Sequence, residues 1–362
     1  MKLVAAIKLK PTREQATVLR ATLKRCNEAC TTIAAKGFAA GVLRQFDLHR
    51  LTYADVRADF GLTAQAAVRC IAKVADAFKI NREVAPVFRD DAAQPYDDRI
   101  FGFKGDDEVS IWTVEGRMRL KFVAGDHQRA LLAYRKGEVD LCFVRGKWLL
   151  AATCDIPETT EFKASDWLGV DLGIVNIAAS SDGKVYTGEA IERVRTRLAK
   201  RRRGLQSVGS KAAKRRLVIL SRKQSRFQAA ENHRISKAIV LDAERTGRGI
   251  AVEELTHIRT QVTARRKQRA RLSNWSFGQL RAFLAYKAKR AGVPMVAVDP
   301  RNTSKGCSAC GCVDAKNRPN QATFSCVSCG HSEAADLNAA RNIRSRASAE
   351  VTPRECSQAL AA

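Results

Sequence analysis

The sequence predicts an α/β protein of several domains. Three observations carry that expectation. The texture of the chain changes near residue 88 and again at Trp167. Short β-branched and aromatic runs stand between segments with helical periodicity. Two Cys-x-x-Cys pairs near the C-terminal end mark a small module built around a metal. At 362 residues the chain is long enough for two or three cores. The expected layout is a small β-barrel at 1–10 and 88–160 and a helical unit inserted at 11–87. An α/β domain follows at 165–300 and 334–348, with a metal ribbon at 301–333 and a flexible tail at 349–362.

The elements follow in order. "KLVAAIKLK" alternates and reads as a strand. Pro11 and Thr12 then open a helix, on which Val18, Leu19, Leu23, Cys26, Cys30 and Ile33 recur at helical spacing. Residues 62–81 repeat the pattern, with Val68, Ile71, Val74 and Phe78 on one face. "RIFGFKG", "EVSIWTVEGRMRLKFVAG" and "GEVDLCFVRGKWLLAATCDIP" are short runs punctuated by Gly105, Gly116, Gly125 and Gly146. They predict an antiparallel sheet that the first strand joins, leaving the helices as an insertion. "WLGVDLGIVNIAASSDGKVYTG" reads as a buried strand, a turn, and a hairpin through Asp182-Gly183. Between Arg193 and Arg226 stand 14 Lys or Arg and no acid, in two helices broken at Gly209-Ser210. "GRGIAVEEL" is a short strand ending in two carboxylates. Residues 259–271 carry six more cations without an acid and read as a mobile loop. "SFGQLRAFLAYKAKRAG" is an amphipathic helix, "VPMVAVDP" a buried strand, and "DLNAARNIRSRA" a terminal helix.

Charge narrows the partners. There are 64 Lys plus Arg against 37 Asp plus Glu, a net charge of +27. Such a surplus repels itself unless a polyanion is near, and phosphate backbones are the usual one. A solubility or membrane-surface charge is the bland alternative. No segment approaches the ~20 apolar residues of a membrane span, and "MKLVAAIKLKPTREQ" is too short in apolar residues for a secretory signal. A cytoplasmic protein with reduced thiols is expected. Its 11 cysteines then serve metal or core. Cys26, Cys30, Cys70, Cys142 and Cys154 lie in apolar segments and read as small core residues.

The remaining cysteines are the strong motif. Cys307/Cys310 and Cys326/Cys329 are separated by 15 residues, with Gly311 and Gly330 after the second member of each pair. Four thiolates suit tetrahedral zinc. Cys312 breaks the symmetry and reads as a bystander; His331 is a weaker alternative ligand. A four-cysteine zinc site is closed to substrate, so it builds structure, and the chemistry lies elsewhere.

Carboxylates offer that place. Asp171 sits inside the apolar strand "LGVDLGI", where a charge is costly without a partner. Glu253 and Glu254 end an apolar strand and Asp336 opens a helix. Singly, each has a bland reading as a strand end or N-cap. Together, Asp171, Glu253 and Asp336 fit the ribonuclease H type of fold, in which acids converge at one sheet edge and hold divalent ions. Hard oxygen ligands suit Mg²⁺, and two ions roughly 3.5–4 Å apart can activate water on a phosphodiester. Glu253 is preferred to Glu254 because strand alternation sends the two to opposite faces. Arg201, Arg202, Arg203, Lys211, Lys214, Arg215 and Arg216 are the candidate phosphate contacts, against the reading of a solvated helix face. Aromatics are only 6% of the chain, which argues against stacking on many bases.

"LGVDLGIVNIAASSDG", "AVEEL", "NWSFGQLRAFLAYKAKRAG", "VDPRNTSKGCSACG" and "ADLNAARNI", in that order, resemble the TnpB (OrfB) family of insertion-element proteins, strongly over residues 165–345. The first strand and helix resemble the family more weakly. The resemblance implies an RNA-guided DNA endonuclease related to type V CRISPR effectors. Its parts are a RuvC-like (ribonuclease H-like) nuclease with an inserted zinc ribbon, and a β wedge holding a helical recognition domain. It implies a guide RNA from the element's own end, double- and single-stranded target DNA beside a short adjacent motif, and a monomer in a 1:1 complex with RNA. The host is then a bacterium or archaeon, and the protein cytoplasmic and nucleoid-associated. The matching motifs assign Mg²⁺ to Asp171, Glu253 and Asp336, and zinc to Cys307, Cys310, Cys326 and Cys329. Relatives without the acids act as RNA-guided repressors, and an accessory transposase is a further alternative; here all three acids are present.

Overall fold

The computed structural model describes residues 1–254 and 277–359, with side chains through residue 349. The basic stretch 259–271, expected as a mobile loop, lies outside the described residues. The chain divides into two compact units, Met1–Pro157 and Glu158–Ala362.

In the first unit, strand β1 (Lys2–Leu9) turns Ala5, Ile7 and Leu9 inward at every second position. Thr12 caps helix α1 (Arg13–Ala39): its hydroxyl accepts from Gln15 N, and the Gln15 side chain accepts from Thr12 N. Helices α2 (Gln45–Phe60) and α3 (Ala64–Ile80) follow before the chain returns to the sheet. The sheet continues with β2 (Gln94–Tyr96), β3 (Phe101–Lys104), β4 (Glu108–Thr113), β5 (Gly116–Val123), a short α4 (Asp126–Leu132), β6 (Arg135–Val144) and β7 (Lys147–Asp155).

Its strand order is β2-β6-β7-β1-β5-β4-β3, so β1 is central and the three helices are an insertion, as the sequence predicts. The edge strands β2 and β3 do not pair with each other. They are joined by the turn at 97–100, and the Tyr96 hydroxyl donates to Trp112 O of β4 at 3.2 Å. The expected barrel is therefore a sheet that nearly closes. Leu19, Leu23, Ile33, Ile71 and Phe78 of the helices share one core with Ile7, Phe101, Ile111 and Leu150 of the sheet. The helical segment thus does not bury a core of its own. Cys26, Cys30, Cys70 and Cys154 are buried and Cys142 half-buried.

The second unit is built on a five-stranded sheet, β10-β9-β8-β11-β12. Strands β8 (Trp167–Asp171), β9 (Asn176–Ser180) and β10 (Val185–Thr187) run antiparallel in sequence; β8, β11 (Gly249–Glu253) and β12 (Met295–Val298) are parallel. Between them lie α5 (Glu189–Val208), α6 (Lys211–Arg245) and α7 (Phe277–Ala291). α5 and α6 break where expected: Gly209 takes φ +66°, open to glycine without strain, and the Ser210 hydroxyl caps α6 by accepting from Ala213 N.

Alternation along the strands sets two faces. Leu168, Val170, Ile250 and Val252 pack against Ile235 and Ile239 of α6 and Leu280 and Leu284 of α7. Trp167, Ala251 and Val298 face Ile343 and Ala347 of the last helix, α8 (Ala335–Ala359). That helix runs past 349, where a loose tail is expected from composition. The ribbon hairpin, β13 (Thr323–Ser325) with β14 (Ser332–Ala334), leads directly into α8.

Gly169 is where α8 lies closest to the sheet. A Cβ there would stand 2.0 Å from Ala340 O and 2.7 Å from Arg344 N, both helix backbone. Because backbone cannot rotate away, Gly169→Ala should destabilise this unit by about 3 kcal/mol, the upper range for overpacking. A fall in the urea midpoint with an unchanged slope checks it.

Candidate active site

Strand alternation puts Asp171 on the same face as Trp167 and Gly169, and Glu253 on the face of Ala251, which is the face covered by α8. β8 and β11 are parallel, in register through Val170 opposite Val252. Asp171 and Glu253 are the next residue on each strand, so the two acids end adjacent strands at the same level. Asp336 lies in the first turn of α8, where the helix dipole favours a carboxylate. The three predicted acids thus meet at one end of the sheet, though 165 residues separate the first from the last.

Their electrostatics record that meeting. The Asp171 carboxyl is pushed up to about 7, by burial first and then by the charges of Glu253 and Asp336; Arg318 and the Leu172 backbone oppose the rise. The residue as a whole is half-buried, while its carboxyl is crowded by protein atoms. Glu253 is also raised, by burial, against the Thr303 hydroxyl and the charges of Arg346 and Arg318. A divalent cation among these carboxyls would offset their burial and mutual repulsion, and ionised carboxylate oxygens are hard donors of the kind such ions take.

Glu254 takes the other face. Its two oxygens accept from both terminal nitrogens of Arg281 on α7 at 2.5 Å each, a bidentate pair that spends the carboxylate on structure. Alternation alone separates the two neighbouring glutamates.

Three site residues escape sequence reasoning. Asn176, the first residue of β9, donates through Nδ2 to Asp336 Oδ2 at 2.7 Å. The Thr303 hydroxyl donates to Glu253 Oε1. Arg318, from the ribbon, stands near enough to lower both Asp171 and Glu253. Asn176 follows Asp171 by five residues and opens the hairpin's second strand, a signal that could have been read. Thr303 and Arg318 carry none, because their partners are distant in sequence.

The four predicted cysteines cluster. All their sulfurs lie within 4.8 Å of one another, with Cys307–Cys329 at 3.7 Å and Cys310–Cys326 at 3.6 Å. A tetrahedron of Zn–S bonds of ~2.3 Å has edges of about 3.8 Å, so the sulfur spacing fits zinc. Backbone N–H groups of Cys329 and Ser328 lower the Cys326 thiol, while hydrogen bonds among the crowded sulfurs raise Cys310 and Cys329. His331 instead pairs with Glu333 at 2.9 Å, so it is spent outside the sulfur cluster. Cys312 is half-buried beside Cys326 and Cys310, and its thiol is raised by burial. Of the candidate phosphate contacts, Arg201, Arg203, Lys211, Lys214, Arg215 and Arg216 are exposed on the α5–α6 hairpin. Arg202 is half-buried and bonds Gln224 at 3.3 Å.

Comparison with known proteins gives this arrangement a lineage. The family described as Cas12f1-like, TNB domain, matches residues 277–343, the segment from α7 through the ribbon to α8. The chain is 35% identical over 217 residues to the CRISPR-associated endodeoxyribonuclease Cas12f1 of Sulfoacidibacillus thermotolerans, covering 55% of this chain and 50% of that protein. It is 27% identical over 249 residues to the TnpB-like protein MJ0751 of Methanocaldococcus jannaschii, covering 64% of this chain and 87% of the other. The chain is thus similar to Cas12f1 endodeoxyribonucleases and to a TnpB-like protein. It spans about half the length of the first Cas12f1 relatives it matches, 50% and 45%. The fold agrees with the Cas12f1–sgRNA–target DNA complex at a TM-score of 0.63 and 17% identity, over 92% of this chain and 83% of that one. Among the described residues, no helix is long and apolar enough to cross a membrane.

Proposed function

We propose that this TnpB-like protein is an RNA-guided DNA endonuclease encoded by an insertion element. It binds a guide RNA from the element's end and cuts DNA beside a short adjacent motif by metal-dependent phosphodiester hydrolysis. The observation that carries the reading is the convergence of Asp171, Glu253 and Asp336 at one end of a five-stranded sheet. That sheet's order, with three antiparallel strands and then two parallel ones, supports a RuvC-like, ribonuclease H-type domain. The names of its relatives, an endodeoxyribonuclease and a TnpB-like protein, support the same reading.

The three carboxylates would hold two Mg²⁺. Bound there, the ions supply an activated water and charge stabilisation for the leaving oxygen. The residues of the chain do the rest. Thr303 and Asn176 orient Glu253 and Asp336 through hydrogen bonds. Arg318 offers a cation at the rim, where a scissile phosphate would lie. The ribbon at 301–333, with zinc on Cys307, Cys310, Cys326 and Cys329, holds Arg318 there. The exposed cations of the α5–α6 hairpin, Arg201, Arg203, Lys211, Lys214, Arg215 and Arg216, take nucleic-acid backbone, with Arg202 behind them. The protein acts as a monomer on one guide RNA, opening double-stranded target to the single strand it cuts.

The two glutamates test it. Full-length protein with its copurified RNA, Mg²⁺ and a plasmid matched to that RNA should cut the plasmid. Glu253→Gln should lower the rate by about a thousandfold, since several kcal/mol of charge stabilisation depend on the metal and each ~1.4 kcal/mol is tenfold. Glu254→Gln should remain within a few-fold of the parent. Equal loss in both variants, or binding without any cutting by the parent, overturns the nuclease reading.

A further inference from the structure

The segment that leads into the ribbon, residues 299–308, touches the acid site at one point and the last helix at several. Apart from Cys307 its residues are not ligands, yet several of them are hydrogen-bonded to distant parts of this unit. Thr303 is 2% exposed, and its hydroxyl donates to Glu253 Oε1, itself 9% exposed. The same hydroxyl lies 2.9 Å from Pro300 O. A hydroxyl has one proton, and an ionised Glu253 is the stronger acceptor of the two.

Thr303 is held from behind. Asn342 on α8 donates through Nδ2 to Thr303 O and to Gly306 O, at 2.8 Å each. Asn338, one turn earlier and fully buried, donates to Gly306 O at 2.8 Å and accepts from Ser308 N at 2.9 Å. Asn302 adopts φ +59°, a left-handed conformation that asparagine tolerates, and turns the chain so that Gly306 N reaches Asn302 O at 2.8 Å. Asn338 and Asn342 are four residues apart on the helix that presents Asp336, so they share its face. One helix therefore carries one acid directly and fixes a second through a peptide segment.

We propose that Thr303 is a positioning residue for Glu253, and that Asn342 and Asn338 set Thr303 so that the acids of β11 and α8 form one rigid metal frame. This rests on the reading of Asp171, Glu253 and Asp336 as ligands of divalent metal. The hydrogen bonds make the ribbon's first residues part of the frame that orients the metal ligands. Outer-shell partners of this kind change metal affinity by roughly tenfold to a hundredfold when removed.

Mn²⁺ binding to the full chain, read from the loss of free-ion signal in electron paramagnetic resonance, tests this without cleavage. Thr303→Val removes the hydroxyl at nearly equal volume and should weaken Mn²⁺ binding by about tenfold, whereas Thr303→Ser should restore it. Both should keep the parent's zinc content. Asn342→Leu, which leaves Thr303 itself intact, should weaken Mn²⁺ binding in the same direction. If Thr303→Val proves unstable, the Asn342 and Thr303→Ser variants still decide. Parent-like Mn²⁺ affinity in Thr303→Val and Asn342→Leu, with Asp171→Asn clearly weakened, overturns the positioning role and leaves the metal site standing. Unchanged affinity in Asp171→Asn overturns the metal-site reading itself.

Discussion

Asp171→Asn should abolish cleavage and make the magnesium-free protein more stable at pH 8. The two effects share one cause. Asp171 is held near Glu253 and Asp336 with its pKa raised from 3.8 to about 7. In the unfolded chain the carboxyl ionises near its ordinary value, so between the two pKa values the folded state binds the extra proton. Stability associated with the protonated group is complete below the unfolded pKa and is lost as pH rises toward 7. Above that, the penalty is constant. About 3 units at ~1.4 kcal/mol per unit gives about 4 kcal/mol, which partial exposure trims to about 2 kcal/mol. The amide carries no such penalty. Thermal melts of the parent and Asp171→Asn, in Mg²⁺-free buffer, should separate by about 5 °C at pH 8 and converge near pH 4. Cleavage should fall by at least about a thousandfold. A variant less stable than the parent at pH 8 would falsify the account of Asp171 as a strained ligand.

The second large effect concerns the sulfur site. Cys326→Ser should reduce zinc from one per chain toward zero and abolish cleavage with all three acids intact. The ribbon's own core is only Cys307, Phe324, Cys326 and Ala335, too little apolar surface to fold without metal. Structural zinc supplies about 10–16 kcal/mol of apparent binding free energy to such modules, and that energy is folding energy. Losing it frees the segment that carries Thr303 and Arg318 and that bonds Asn338 and Asn342. Limited proteolysis should then cut within 301–334, while the sheet of β8, β9 and β11 stays resistant. Zinc content by elemental analysis, the proteolytic pattern and the cleavage assay check the three parts. A zinc-free protein that still cuts DNA and resists protease would show that the ribbon is independent of the acid site.

Much of this site was legible because its chemistry is local. Two Cys-x-x-Cys pairs are spaced to meet from two tight turns, so spacing alone names the four cysteines that cluster. Asp171 stood out as a charge in an apolar strand. Period-two alternation separated Glu253 from Glu254, and the structure places Glu254 against Arg281 as that alternation requires. The helix break at Gly209-Ser210 was equally local, a left-handed residue followed by a cap.

What was not legible depends on distance. Thr303 meets Glu253 across 50 residues, and Asn176 meets Asp336 across 160. In its own neighbourhood Thr303 does not differ from a loop residue with no task, and Asn176 shows only its short spacing from Asp171. That the expected barrel stops short of closing, and that its core is shared with α1–α3, were hidden for the same reason. Periodicity tells which face of an element is apolar but not which element covers it. The sequence by itself singled out the three acids and four cysteines that come together, the strand faces and the charge that calls for a polyanion. Only the tertiary structure decided which residues hold those side chains in place. Alternation and spacing are properties of a few consecutive residues, whereas a hydrogen bond between distant segments exists only once packing has brought them together.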